Sequence, residues 1–192
     1  MRDETKTCDS QRLSKFSIWR ILQFGFALIA TIALSMLAVP RTFADGGREI
    51  LIQDKCDPTT FNAVVGPGTC IGGGNVTFDE FFATLNPTDG GHNAWRFSRE
   101  ELGINAGEVV HVANAGGETH TFNEVLNFGT GIAGPPLDSA LPPGTPAATP
   151  LGPPKFVSPG QSFNISNLSI GSHRFQCLIH PWMRSVINVK RR

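Results

Sequence analysis

Cys177, His180 and Met183 stand at intervals of three residues near the C-terminus, in the run GSHRFQCLIHPWM from Gly171 to Met183, and an isolated His120 lies well upstream. A thiolate, two imidazoles and a thioether form one recognised donor set. Two nitrogens and one sulfur lie in a trigonal plane, and a long axial bond to methionine completes the site. Soft sulfur ligands stabilise Cu(I) and imidazoles suit Cu(II), so a rigid site holding all four can accept and release one electron with little rearrangement. Singly, each residue has a plainer reading: a lone Cys in a strand is a small buried hydrophobe, a Met beside an aromatic is core, and a His in a loop is solvated. Only their conjunction points to a metal.

The elements that must position these residues are legible in the flanks. Spacing by threes would stack the residues on one helical face, but Pro181 removes a backbone donor and pushes His180 toward extended backbone. Arg174 to Cys177 alternates polar and apolar residues, and Ser185 to Val189 is rich in β-branched residues, so both read as strands. The three residues therefore sit on a tight loop between two strands, a good place for a preorganised metal site. His111 and His173 fall in expected strands beside apolar neighbours and read as strand residues rather than ligands. His92, in Asp89-Gly-Gly-His-Asn93, is a turn residue by composition and expected to be exposed.

The loop resembles the copper loop of cupredoxins, the blue type 1 copper proteins. Its Cys-x-x-His-Pro-x-Met spacing is closest to amicyanin among amicyanin- and plastocyanin-like proteins, and shorter than in plastocyanin or azurin. The stretch from Leu102 to Asn114, followed by Gly116-Gly-Glu-Thr-His120-Thr-Phe122, resembles the strands that lead into the family's first histidine ligand. The resemblance runs from Ala94 to Lys190 apart from the middle loop. It implies an all-β, cupredoxin-like Greek-key β-sandwich or barrel with a short helical N-terminal extension. It also implies that His120, Cys177, His180 and Met183 bind one copper per chain, cycling between Cu(I) and Cu(II), in an electron carrier rather than an enzyme. In cupredoxins the second histidine reaches the surface through an apolar patch, here formed with Pro181 and Trp182. Redox proteins would dock transiently there on a monomer, through small contacts. The alternative is a copper carrier or store without an electron-transfer role. A fragment of a larger oxidase or reductase would need further histidine clusters, which the chain lacks.

Two departures from the family bear on the metal. An Asn that ties the ligand loops together in most cupredoxins is replaced by Thr121, which puts that tie in doubt. The proline found two residues after the cysteine in amicyanin and plastocyanin is replaced by Ile179, which keeps its amide hydrogen. A second amide hydrogen bond to the thiolate, donated by Ile179, would favour Cu(I) and raise the reduction potential.

Residues 1–20 carry five Lys or Arg against three acids, and Ile21 to Val39 is an almost unbroken apolar run. Residues 1–44 are thus expected to be a signal peptide cleaved after Thr42-Phe-Ala44, or a membrane anchor retained through residues 21–39, since the run is long enough to cross about 30 Å of hydrocarbon. Either way the rest of the chain is exported, to the periplasm or the extracellular space. Beyond Ala44 there are 10 Lys or Arg and 13 Asp or Glu, so no basic field points to nucleic acid. Cys56 and Cys70 are the remaining exported cysteines and are expected to pair in an oxidising compartment.

Residues 45–93 form an N-terminal extension. In it, Asp57-Pro58 and the capping box Thr77-Phe-Asp-Glu80 start two short helices, and Phe78, Phe81, Phe82 and Leu85 make an apolar stripe expected to bury. Residues 94–192 form the copper-binding domain, interrupted at 129–160 by a Pro- and Gly-rich insertion read as a long surface loop.

Overall fold

The computed structural model describes residues 48–192. The expected leader or anchor and its cleavage site lie outside the described residues. Among those described, no helix is long and apolar enough to cross a membrane.

The described residues form ten strands: β1 (Glu49–Gln53), β2 (Arg96–Phe97), β3 (Glu101–Asn105), β4 (Val110–Asn114), β5 (His120–Thr121), β6 (Asn123–Val125), β7 (Phe156–Val157), β8 (Ser162–Ile165), β9 (Gly171–Gln176) and β10 (Arg184–Lys190). They form two four-stranded sheets, ordered β2-β1-β4-β8 and β3-β10-β9-β6, and a small β5-β7 ladder. The chain passes repeatedly from one sheet to the other, giving a Greek-key sandwich rather than a closed barrel. Period-two alternation builds the interior: Ile50 and Ile52 of β1, Val110 and Val112 of β4, and Ile187 and Val189 of β10 point inward. Phe122, stacked on Phe175 and tilted against Phe97, fills the space between them.

The stretch before residue 94 does more than decorate this sandwich. β1 pairs in parallel with β4, with Ile50 opposite Val112, and antiparallel with β2. It is an interior strand of its sheet, and its short apolar run Ile50-Leu51-Ile52 between Glu49 and Gln53 carries the strand signal, with burial alternating along it. The two helices form as their caps require. Asp57 accepts from Thr60 N ahead of α1 (Pro58–Val64), and Thr77 and Glu80 make a reciprocal capping box ahead of α2 (Phe78–Ala83). The aromatic stripe buries only in part: Phe81 and Leu85 are buried and Phe78 half-buried, while Phe82 is 48% exposed. A helix of six residues presents less than two turns, and Phe82 lies over Phe78 at its outer rim.

The Pro- and Gly-rich insertion contains a short 3-10 turn at Leu137–Ala140 and strand β7, and is otherwise irregular. It is anchored to the ligand loop. Gly129 exchanges two hydrogen bonds with the buried Gln176 side chain, and Ile132 N donates to Leu178 O at 2.7 Å.

Candidate metal centre

β9 and β10 pair antiparallel, with Gln176 opposite Arg184, so residues 177–183 are the loop that joins them. The loop is closed by Cys177 N donating to Met183 O and Met183 N to His180 O, both at 3.0 Å. His120 opens β5 immediately after the Gly116-Gly117 turn. The structure brings the three equatorial candidates together: Cys177 Sγ is 3.9 Å from Nδ1 of both His120 and His180, and the two Nδ1 atoms are 3.2 Å apart. All three residues are buried.

These spacings can be tested against a metal. With bonds of about 2.0 Å to nitrogen and about 2.3 Å to sulfur, a trigonal centre separates its nitrogens by about 3.5 Å and nitrogen from sulfur by about 3.7 Å. The observed triangle lies within a few tenths of an ångström of that, so the residues fit a single ion. Met183 is buried at the end of the same loop. Among the described residues, His111 and His173 stay outside the cluster. His111 bonds Asn164, and His173 bonds Glu124 and the Ser169 carbonyl, as strand residues whose bonding needs are met on the sheet.

Several features were not legible beforehand. His120 Nε2 lies 2.9 Å from Oδ2 of Asp54, whose side chain is fully buried just past β1. The same carboxylate accepts from Gly117 N, Glu118 N and Cys56 N. A Cβ at Gly116 would come within 1.9 Å of Asp54 Oδ2, and one at Gly117 within 2.7 Å of Cys56 Sγ, so two glycines are required for the turn to close over this group. Cys56 and Cys70 form the expected disulfide directly beneath it.

Burial opposes the charge on Asp54, but the bond from His120 and the backbone amides hold its carboxyl at about 2. Burial likewise disfavours a charged His120, and the Asp54 and Cys177 partners outweigh it, pushing the imidazole up to about 9. Burial would raise the Cys177 thiol; the two imidazoles overcome this and hold it well below its ordinary value. The site therefore favours a thiolate, the form that ligates metals. Glu118 is a second buried acid, raised by burial; it accepts from Trp95 Nε1 at 2.6 Å and lies 3.8 Å from His180 Nε2. The signals in the sequence for these acids were slight: one Asp at the end of a strand and one Glu two residues before a histidine.

The departures noted in the sequence resolve differently from one another. Thr121 does tie the loops, because its hydroxyl accepts from Leu178 N at 2.6 Å. Two amides approach the Cys177 sulfur, each at 3.4 Å, but they belong to Thr121 and His180; the expected donation by Ile179 is replaced by that of His180. The expected exposure of His180 is also corrected. The ring is 4% exposed and Pro181 is buried, because Phe81 of α2 and Trp182 close over it with edge-on and tilted ring contacts. His92 is half-buried rather than exposed, its ring packed edge-on against Trp95. Beside His180 lies an apolar cavity of about 440 Å³, walled by Phe61, Phe78, Phe81, Leu137 and Ile179.

No protein-family model matches the chain, and no curated protein matches it. Cupredoxins are among the solved structures it resembles. A purple cupredoxin from Nitrosopumilus maritimus aligns with TM-score 0.40 and 16% identity over 74% of this chain and 98% of its own. An oxidized amicyanin variant aligns with TM-score 0.39 and 15% identity, over 78% and 88%. A Cu(I) amicyanin variant aligns with TM-score 0.34 and 18% identity, over 50% and 73%.

Proposed function

We propose that this chain is an exported type 1 copper protein of the cupredoxin kind, carrying single electrons between redox proteins rather than catalysing a reaction. His120, Cys177 and His180 would hold one copper through two nitrogens and a thiolate, with Met183 as the weak axial ligand. Copper, when bound, supplies the one-electron Cu(I)/Cu(II) couple. The observation that carries this reading is the buried triangle of one sulfur and two Nδ1 atoms at 3.2–3.9 Å.

The chain's own part is to hold that triangle rigid and dry. Amides of Thr121 and His180 point at the sulfur, Thr121 Oγ1 fastens one ligand loop to the other, and Asp54 accepts from Nε2 of His120. Fixed ligands limit the rearrangement that accompanies a change of charge. Burial also weighs against the carrier or store reading, since handing over Cu(I) requires ligands that a recipient can reach, and Cys177 and His120 are 0% exposed. Electron exchange would pass from His180 through the rings that cover it, with transient partners docking over Trp182, the neighbouring Pro181 and the α2 rim.

The test is the visible spectrum of the exported domain loaded with Cu(II). An intense thiolate-to-copper charge-transfer band that bleaches on mild reduction and returns on oxidation is expected. Bound copper with only a faint spectrum would remove Cys177 from the ligand set and return the carrier reading.

A further inference from the structure

Asp54 is set apart from every other acid among the described residues. Its side chain is fully buried, and its contacts are three backbone amides and one imidazole, that of a proposed copper ligand, rather than Lys or Arg. Burying a carboxylate is costly unless its charge is matched and its oxygens are bonded. Here one oxygen takes the amides of Gly117 and Cys56, and the other takes the Glu118 amide and His120 Nε2. Glu118, the other acid beside the cluster, stands 3.8 Å from His180 Nε2, beyond hydrogen-bond reach.

His120 Nε2 faces the ionised Asp54 carboxylate at 2.9 Å, and since a carboxylate only accepts, Nε2 carries a hydrogen, while Nδ1 faces the sulfur and His180. A hydrogen bond from that nitrogen to a carboxylate fixes the ring's tautomer and rotation and makes the opposite nitrogen a stronger donor. The added electron density and the negative charge both favour the higher oxidation state of a metal on Nδ1.

We propose that Asp54 is a positioning residue for His120 that biases bound copper toward Cu(II), giving this site a lower reduction potential than the same ligands would have without the carboxylate. The inference rests on the type 1 copper reading. It places a determinant of the metal's properties just past β1, in the stretch before the copper loops, 66 residues from the ligand it acts on.

The experiment compares wild type with Asp54→Asn, each loaded with copper, by its charge-transfer band and by redox titration. Asn keeps the shape and one acceptor oxygen but removes the charge. Loss of such support typically weakens metal affinity by about 10–100-fold. If that loss falls on Cu(II), the potential rises by about 60–120 mV, at about 59 mV per tenfold for one electron. A residue that only braced the turn would lower the stability of the variant and leave the potential where it was, and that result overturns the inference.

Should Asp54→Asn fail to fold, the wild-type Cu(I) protein, which is diamagnetic, decides by nitrogen-15 NMR. The inference expects a slowly exchanging hydrogen on His120 Nε2, and a rapidly exchanging or unprotonated Nε2 overturns it. Absence of the charge-transfer band in wild type would instead defeat the type 1 copper reading, so the two failures are told apart.

Discussion

Thr121→Val isolates the tie between the two ligand loops. The substitution keeps the β-branched shape and replaces Oγ1 with a methyl group, leaving Leu178 N without its 2.6 Å acceptor. Thr121 is 0% exposed and Leu178 1%. The Leu178 carbonyl is already held by Ile132 N, and Gly131 packs so closely on it that a Cβ there would sit 2.1 Å from the oxygen. With both residues buried, bulk water does not replace the lost acceptor.

A buried donor left unpaired costs about 1–3 kcal/mol, and this closed setting argues for about 2–3. At roughly 2–4 °C per kcal/mol for a domain of this size, Tm falls by about 4–12 °C. The assay is thermal and urea unfolding of the copper-free protein, which removes any contribution from metal binding. Thr121→Ser is the companion variant: it keeps the hydroxyl and loses about 0.5–1.5 kcal/mol for one buried methyl. A Thr121→Val protein that unfolds at the wild-type midpoint would refute the reasoning, because the hydroxyl would then be bearing no hydrogen bond that matters.

Removing the Cys56–Cys70 disulfide by a double Ala substitution should cost about 3 kcal/mol for a loop of this size, read as a lower urea midpoint that reductant no longer affects. Ile179→Pro should leave the reduction potential of the copper-loaded protein at its wild-type value, since the amides at the sulfur belong to Thr121 and His180; a lower potential by voltammetry would show that Ile179 donates after all. His173 has burial working against its charge, but Glu124 and the Ser169 carbonyl raise its pKa above 6.5. Its contribution is therefore fully present below about 6.5 and fades as pH rises through the raised folded value. Wild type should exceed His173→Gln in stability by more at about pH 6 than at about pH 9, and an equal difference at both would count against the ion pair.

Local patterns in the sequence determined a good part of this protein. Proline after His180 and alternating flanks specified a loop between strands, the Thr77–Glu80 pair specified a helix start, and two exported cysteines specified a bridge. The first two survive in one dimension because each depends on residues within a few positions of one another, and the bridge, across 14 residues, because the copper reading of Cys177 leaves the two cysteines only each other.

What tertiary structure alone decided is the surroundings of the site. Asp54 meets His120 across 66 residues, Thr121 meets Leu178 across 57, and Phe81 from a short helix closes over His180. None of these pairings has a period or spacing, since each arises where separate elements are packed against one another. A buried carboxylate looks in sequence like any other Asp. Its role comes from two glycines that let a turn close on it and from a strand that carries it beneath a histidine.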